Sequence, residues 1–163
     1  LKGMSLARIA LPSTGGATVE LASLPGLFVI YIYPMTGRPG APLPDGWDGI
    51  PGARGCTPQS CNFRDHYTEL KVLDSEYQRE VRDRLQLPFQ LLSDSSLQLK
   101  SALRLPTFRV SGLELYKRLT LIIKTGKIEK VFYPVFPPDK NAEEVLTWLK
   151  LHAPTRRTRE IDR

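Results

Sequence analysis

Apolar and polar positions alternate with different periods along this chain, and the changes of period mark its elements. The segment LFVIYIY at residues 27–33 is apolar almost throughout, as suits a strand covered on both faces, so it is expected at the centre of a sheet. Residues 17–21 read as a shorter strand, joined to it through the turn signal SLPG. Residues 34–55 break every period with recurrent proline and glycine, and read as one long loop. Beyond it Phe63, Tyr67 and Leu70 recur at helical spacing. The helix start is read at Thr57, as N-cap, with Pro58 in the first helical position. Tyr77, Val81 and Leu85 mark a second helix over about 75–85, LPFQLL a short strand and residues 95–103 a short helix. LTLIIK at 119–124 and KIEKVFY at 127–133 flank Thr125-Gly126 as a hairpin with a two-residue turn. A last helix starts near Asn141, with Glu144 placed for a capping box and Ala142, Val145, Leu146 and Leu149 on one face. The order is that of a mixed α/β fold around one sheet.

Composition narrows the class. A chain of 163 residues, 41% hydrophobic and 25% charged, suits one globular domain, expected over residues 1–152, with a basic tail at 153–163. The net charge of +6 is drawn partly from that tail and otherwise scattered, without a dense basic run, so no nucleic-acid partner is expected. The longest apolar run is too short to span a bilayer, and residues 1–12 lack the pattern of a secretory signal. No membrane association is expected, and the location is read as cytoplasmic.

Both cysteines, Cys56 and Cys61, lie five positions apart, where the long loop meets the helix. A zinc site needs four ligands, and His66 and His152 are the only histidines on offer, so no metal site is expected. A thiol at a helix N-terminus meets unpaired N–H groups that favour thiolate, and Arg54 adds positive charge nearby. Cys56 is thus read as a nucleophile, and Cys61, inside the helix, as the second thiol that attacks whatever Cys56 becomes. A sulfenic acid beside a resolving thiol suits a reversible peroxide reaction; two cysteines that merely pack remain the alternative. His66 is read as structural, Arg64 and Asp65 as a local ion pair, and Trp47 with Asp48 as either a lid over the site or an anchor for the loop.

The segment GCTPQSCNFRDHYTEL closely resembles the peroxidatic segment of peroxiredoxins, especially the peroxiredoxin Q or bacterioferritin-comigratory type. LPSTGGATVELASLPGLFVIYIYP resembles that family's opening hairpin and central strand, and YKRLTLIIKTGKIEKVFYPVFPPDKNAEEVLTWL its later hairpin and terminal helix. The resemblance implies a thioredoxin-like α/β fold, a central mixed β-sheet flanked by helices. It implies a thiol-dependent peroxidase acting on hydrogen peroxide or organic hydroperoxides, with no metal or organic cofactor. Cys56 is then the peroxidatic cysteine, Cys61 the resolving cysteine and Arg118 the arginine beside them, with Arg104 in LRLPTF its rival. An intramolecular Cys56–Cys61 disulfide would be recycled by thioredoxin or a similar dithiol protein, and the chain would act as a monomer or weak homodimer. Departures from the pattern matter. Gly49 and Ala53 stand where the family has proline and threonine, leaving Thr36 and Thr57 as candidate substrate-binding hydroxyls, and Leu121 and Lys124 replace phenylalanine and aspartate in the hairpin. The short stretch from Leu70 to Tyr77 leaves the sheet one strand short, unless residues are missing there. Two other readings stay open: a disulfide reductase on the same fold, and a non-catalytic redox-sensing binding module.

Overall fold

A computed structural model describes residues 1–35, 40–72 and 89–152. Its elements are β1 (Ala10–Pro12), β2 (Thr18–Glu20), β3 (Leu27–Ile32), α1 (Cys56–Asp65), α2 (Tyr67–Val72), α3 (Gln98–Leu103), β4 (Thr107–Val110), β5 (Leu113–Tyr116), β6 (Leu119–Lys124), β7 (Lys127–Phe132) and α4 (Asn141–His152), with short 3₁₀ turns between some of them. The main sheet has the order β3–β6–β7, with Leu27 opposite Lys124 and Ile32 opposite Leu119. All strand pairs among the described residues are antiparallel.

The middle position in this sheet belongs to β6 and not, as its apolar run suggested, to β3. The first five residues of β6 are buried, whereas five of the six in β3 are only half-buried. Period-2 alternation in β6 feeds two cores. Leu119, Leu121 and Ile123 join Leu6, Ile9, Leu11, Leu99 and Leu103 on one side, while Ile122 meets Phe63 of α1 and Ala142, Val145 and Leu149 of α4 on the other. The apolar face read for the last helix is thus its buried face.

Thr125 and Gly126 turn the β6–β7 hairpin at φ 47° and 74°, the left-handed pair that a two-residue turn of this kind requires. A second hairpin, β4–β5, turns on Ser111 and Gly112 at φ 46° and 76° and is absent from the sequence reading. At LPFQLL, residues 87–88 lie outside the described ones, and Leu92 makes only an isolated bridge to Ser13. The helix expected over 75–85 and the tail at 153–163 lie outside the described residues; of the stretch from Leu70 to Tyr77 where a strand was in question, residues 70–72 end α2 and the rest also lies outside them.

Helix α1 starts two residues earlier than expected, at Cys56 rather than Pro58. Its N-cap is Gly55, at φ 102°, and Thr57 lies exposed in the first turn without a capping role. The reason is local: a Cβ at Gly55 would stand 2.3 Å from the Pro138 ring, and the left-handed backbone there disfavours any side chain. Asn141 likewise opens α4 as expected, but without the capping box. Its side chain points into the core, and the first free N–H of the helix, that of Ala142, is met by Asn62 Oδ1 of α1 at 2.7 Å.

Loop 34–55 carries its own apolar anchor. Trp47 and Ala53 are buried with Val110, against Ile50, Phe108 and Leu115. No helix among the described residues is long and apolar enough to cross a membrane.

Candidate active site

Helix α1 presents Cys56 in its first turn, half-buried, with Cys61 one and a half turns on, also half-buried; both thiols are free. Arg118, at the entry to β6, is 3% exposed, and its Nη2 lies 3.3 Å from Cys56 Sγ. A guanidinium taken out of water needs partners for its five N–H groups. Here Nη1 donates to Gln59 Oε1, and Nη2 donates to the carbonyl of Arg54 at 3.0 Å, with those of Gly52 and Ala53 at 3.4 and 3.5 Å. Nε has no partner among the described residues. Every one of these acceptors is neutral, so none of them offsets the positive charge set against the sulfur. Cys56 Sγ also lies 3.8 Å from the Ala53 carbonyl.

Behind Arg118 runs a buried amide relay. Gln59, with no exposed surface, donates from Nε2 to Asn141 Oδ1 at 3.0 Å, and the same oxygen accepts from Thr120 Oγ1 at 2.6 Å. Asn141 Nδ2 is buried without a partner. Gln59, Asn141 and Thr120 thus tie α1, α4 and β6 together at the back of the site. Asn62 adds its bond to Ala142 and, with His66 Nδ1 2.9 Å from its carbonyl, holds the histidine at the helix end.

The expected site residues separate in this geometry. Cys56 and Arg118 are in contact. Arg54 contributes only its carbonyl: its side chain is exposed and bonded to Asp48 Oδ1 at 2.6 Å, which holds the Asp48 carboxyl below its usual range. The charge expected from Arg54 beside the thiol is therefore engaged at the surface. Thr57 is exposed, one residue beyond Cys56, and Thr36 lies outside the described residues. Arg104 is exposed at the end of α3, at φ 54°. Trp47 acts as an anchor, with its ring buried. Arg64 and Asp65 form their local pair at 2.8 Å. Among the described residues no group of His, Cys, Asp and Glu could hold a metal ion.

Sequence reasoning missed Gln59, Asn62, Asn141 and Thr120. A signal existed for the first two: projected on a helix starting at Cys56, they share the face of Phe63, so polar side chains there had to find partners.

No protein-family model matches the chain. It is 27% identical over 161 residues to the chloroplastic peroxiredoxin Q of Oryza sativa subsp. japonica, covering 91% of this chain and 66%, just under two thirds, of the rice protein. Among solved structures, a peroxidoxin of Mycobacterium tuberculosis superposes with a TM-score of 0.66 at 23% identity, covering 94% of this chain and 98% of that one. The bacterioferritin comigratory protein of Xanthomonas campestris does so with a TM-score of 0.60 at 21% identity, covering 90% and 92%. The chain is thus similar in sequence to peroxiredoxin Q, and its fold is that of the solved peroxiredoxins.

Proposed function

We propose that the chain is a thiol peroxidase. The observation that carries the reading is the contact of Arg118 Nη2 with Cys56 Sγ at 3.3 Å, made by a buried guanidinium whose other partners are neutral. The Cys56 thiolate attacks the terminal oxygen of a hydroperoxide. The O–O bond breaks, the sulfur becomes a sulfenic acid, and the leaving oxygen takes up a proton to depart as water or alcohol. Arg118 and the first N–H groups of α1 are aimed at the charge that develops on that oxygen. Thr57, beside Cys56, and Thr36 are the candidate hydroxyls for holding the substrate. Cys61 then attacks the sulfenic sulfur, hydroxide leaves and is protonated to water, and a Cys56–Cys61 disulfide forms. A dithiol protein of the thioredoxin kind restores both thiols by exchange.

An organic hydroperoxide is a fitting substrate alongside hydrogen peroxide, since the solved Xanthomonas protein has alkyl peroxide reduction activity. The leaving oxygen needs only hydrogen-bond donors and positive charge, so the mechanism uses neither metal nor organic cofactor. The reading is of a cytoplasmic enzyme, monomeric or weakly dimeric.

The test is peroxide consumption with thioredoxin and its reductase present. Wild type should turn over with both hydrogen peroxide and a small alkyl hydroperoxide, and Cys56→Ser should not. Turnover that survives in Cys56→Ser, or none in wild type, defeats the reading. Reduction of a protein disulfide without any reaction with peroxide would favour a disulfide reductase on the same fold.

A further inference from the structure

The loop before Cys56 is held by a run of backbone turns at intervals of three. Trp47 N–H donates to the Pro44 carbonyl at 3.0 Å, Ile50 N–H to that of Trp47 at 3.2 Å, and Ala53 N–H to that of Ile50 at 3.1 Å. The Ala53 carbonyl in turn faces Cys56 Sγ at 3.8 Å. Only Trp47–Gly49 is a 3₁₀ turn, Ile50 being extended at φ −96° and Gly52 left-handed at φ 79°, yet Trp47, Ile50 and Ala53 share one side of the run. That side is the apolar one. Trp47 is 4% exposed and Ala53 fully buried, and they pack with Ile50 against Phe108, Val110 and Leu115 of the β4–β5 hairpin. The Trp47 and Phe108 rings meet edge to face, 6.0 Å apart. Ser111 Oγ, in the hairpin turn, donates to the Asp45 carbonyl at 3.1 Å and fastens the same contact at its edge. At the far end of the run, the carbonyls of Gly52, Ala53 and Arg54 are those that receive Arg118 Nη2.

We propose that Trp47 is a positioning residue for the peroxide reaction: by wedging the turn run onto the β4–β5 hairpin it fixes the three carbonyls that hold Arg118 against Cys56. The role rests on the peroxidase reading. It also accounts for Ala53. Residue 53 turns a methyl group to the hairpin, so it serves the strap through its side chain and the site through its carbonyl. Residues 44–55 are then part of the catalytic apparatus rather than a decoration beside it.

The experiment compares Trp47→Ser and Trp47→Phe in a Cys61→Ser background, where only Cys56 can react. Alkylation of Cys56 by iodoacetate and by iodoacetamide is measured at one pH. Both reagents attack the thiolate, so its abundance cancels in the ratio of rates, and what remains is the attraction of the iodoacetate carboxylate to Arg118. Trp47→Ser should lower that ratio, and should lower the rate of sulfenic acid formation with hydrogen peroxide by about tenfold or more, because catalysis is sensitive to misplacement on the ångström scale. Trp47→Phe should restore most of both. Circular dichroism below the melting temperature confirms that each variant is folded. If Trp47→Ser does not fold, Phe108→Ala, which removes the other ring of the contact, should give the same two losses. A folded Trp47→Ser or Phe108→Ala with wild-type ratio and wild-type peroxide rate overturns the proposal. A lowered ratio in a protein whose wild type never reacts with peroxide upholds the positioning role and defeats only the peroxidase reading.

Discussion

Gln59 shows how much of the site depends on one neutral side chain. Its oxygen accepts from Arg118 and its nitrogen donates to Asn141, and the residue has no exposed surface. Gln59→Met keeps the length and removes both ends. The buried Arg118 Nη1 then loses its acceptor, which costs about 1–3 kcal/mol for an unsatisfied buried donor. The melting temperature should fall, and single-turnover peroxide reduction should slow by about tenfold as Arg118 loses its fixed orientation. Gln59→Glu should retain more stability than Gln59→Met, since a carboxylate still accepts from Arg118 and Asn141 Nδ2 can turn to donate to it, but it should not rescue activity, because a carboxylate on Arg118 offsets the charge set against the sulfur. Equal loss of melting temperature in both variants counts against the relay. Cys56 and Arg118 were legible in the sequence because a recognisable segment surrounds each. The partners Gln59 and Asn141 were not, since they lie 82 positions apart and residue spacing tells which face a side chain takes, not what it meets there.

Helix α1 carries a conflict that its own geometry sets up. Within a continuous helix, residues five apart have Cα atoms about 8.6 Å apart, whereas a disulfide needs about 4.4–6.8 Å. Cys56 and Cys61 both lie inside α1, so a bond between them requires the first turns to unwind. Unwinding is opposed by the Gln59–Asn141 bond and favoured by the absence of any side-chain N-cap. Hydrogen exchange should show faster amide exchange over residues 57–63 in the oxidised protein, while β6 and β7 stay protected; Cys61→Ser should abolish the difference. An oxidised protein with an intact α1 and a Cys56–Cys61 bond would defeat this account. Element by element, legibility followed the strength of the local signal. Thr125-Gly126 announced its hairpin, whereas Ser111-Gly112 was overlooked although the same left-handed pair turns it. The start of α1 was misplaced by two residues because Thr-Pro is a strong starting signal, and the close approach of Pro138 that selects Gly55 is a tertiary fact.

At the scale of the whole molecule, a phenol shielded from water stands on each side of the sheet, and burial raises the pKa of both. Tyr31 of β3 stands on the α1 and α4 side, stacked on Phe63 at 4.5 Å, and burial pushes its pKa up to about 12 from an ordinary 10.0, against a smaller opposing effect of its bond to Ser60. Tyr116 of β5 stands in the other core, where burial and its bond to Asp94 raise it as well. The sequence marked β3 as central because it is apolar, but its one tyrosine, Tyr31, is a half-buried group that α1 covers through Phe63. The consequence for stability has a definite sign. A folded-state pKa above the unfolded one stabilises fully below the unfolded value and is lost as pH rises through the folded value. Tyr31 therefore contributes stability that is intact below about pH 10 and declines between 10 and 12. Since Tyr116 acts in the same direction from the opposite core, base should loosen both faces of the sheet together and unfold the chain in one step rather than peel one layer. Urea midpoints at pH 9 and pH 11 test this. The drop seen in wild type should be smaller in Tyr31→Phe and in Tyr116→Phe, and smallest in the double variant. A Tyr31→Phe protein that loses as much stability as wild type between those two pH values would show that the phenol does not carry the effect.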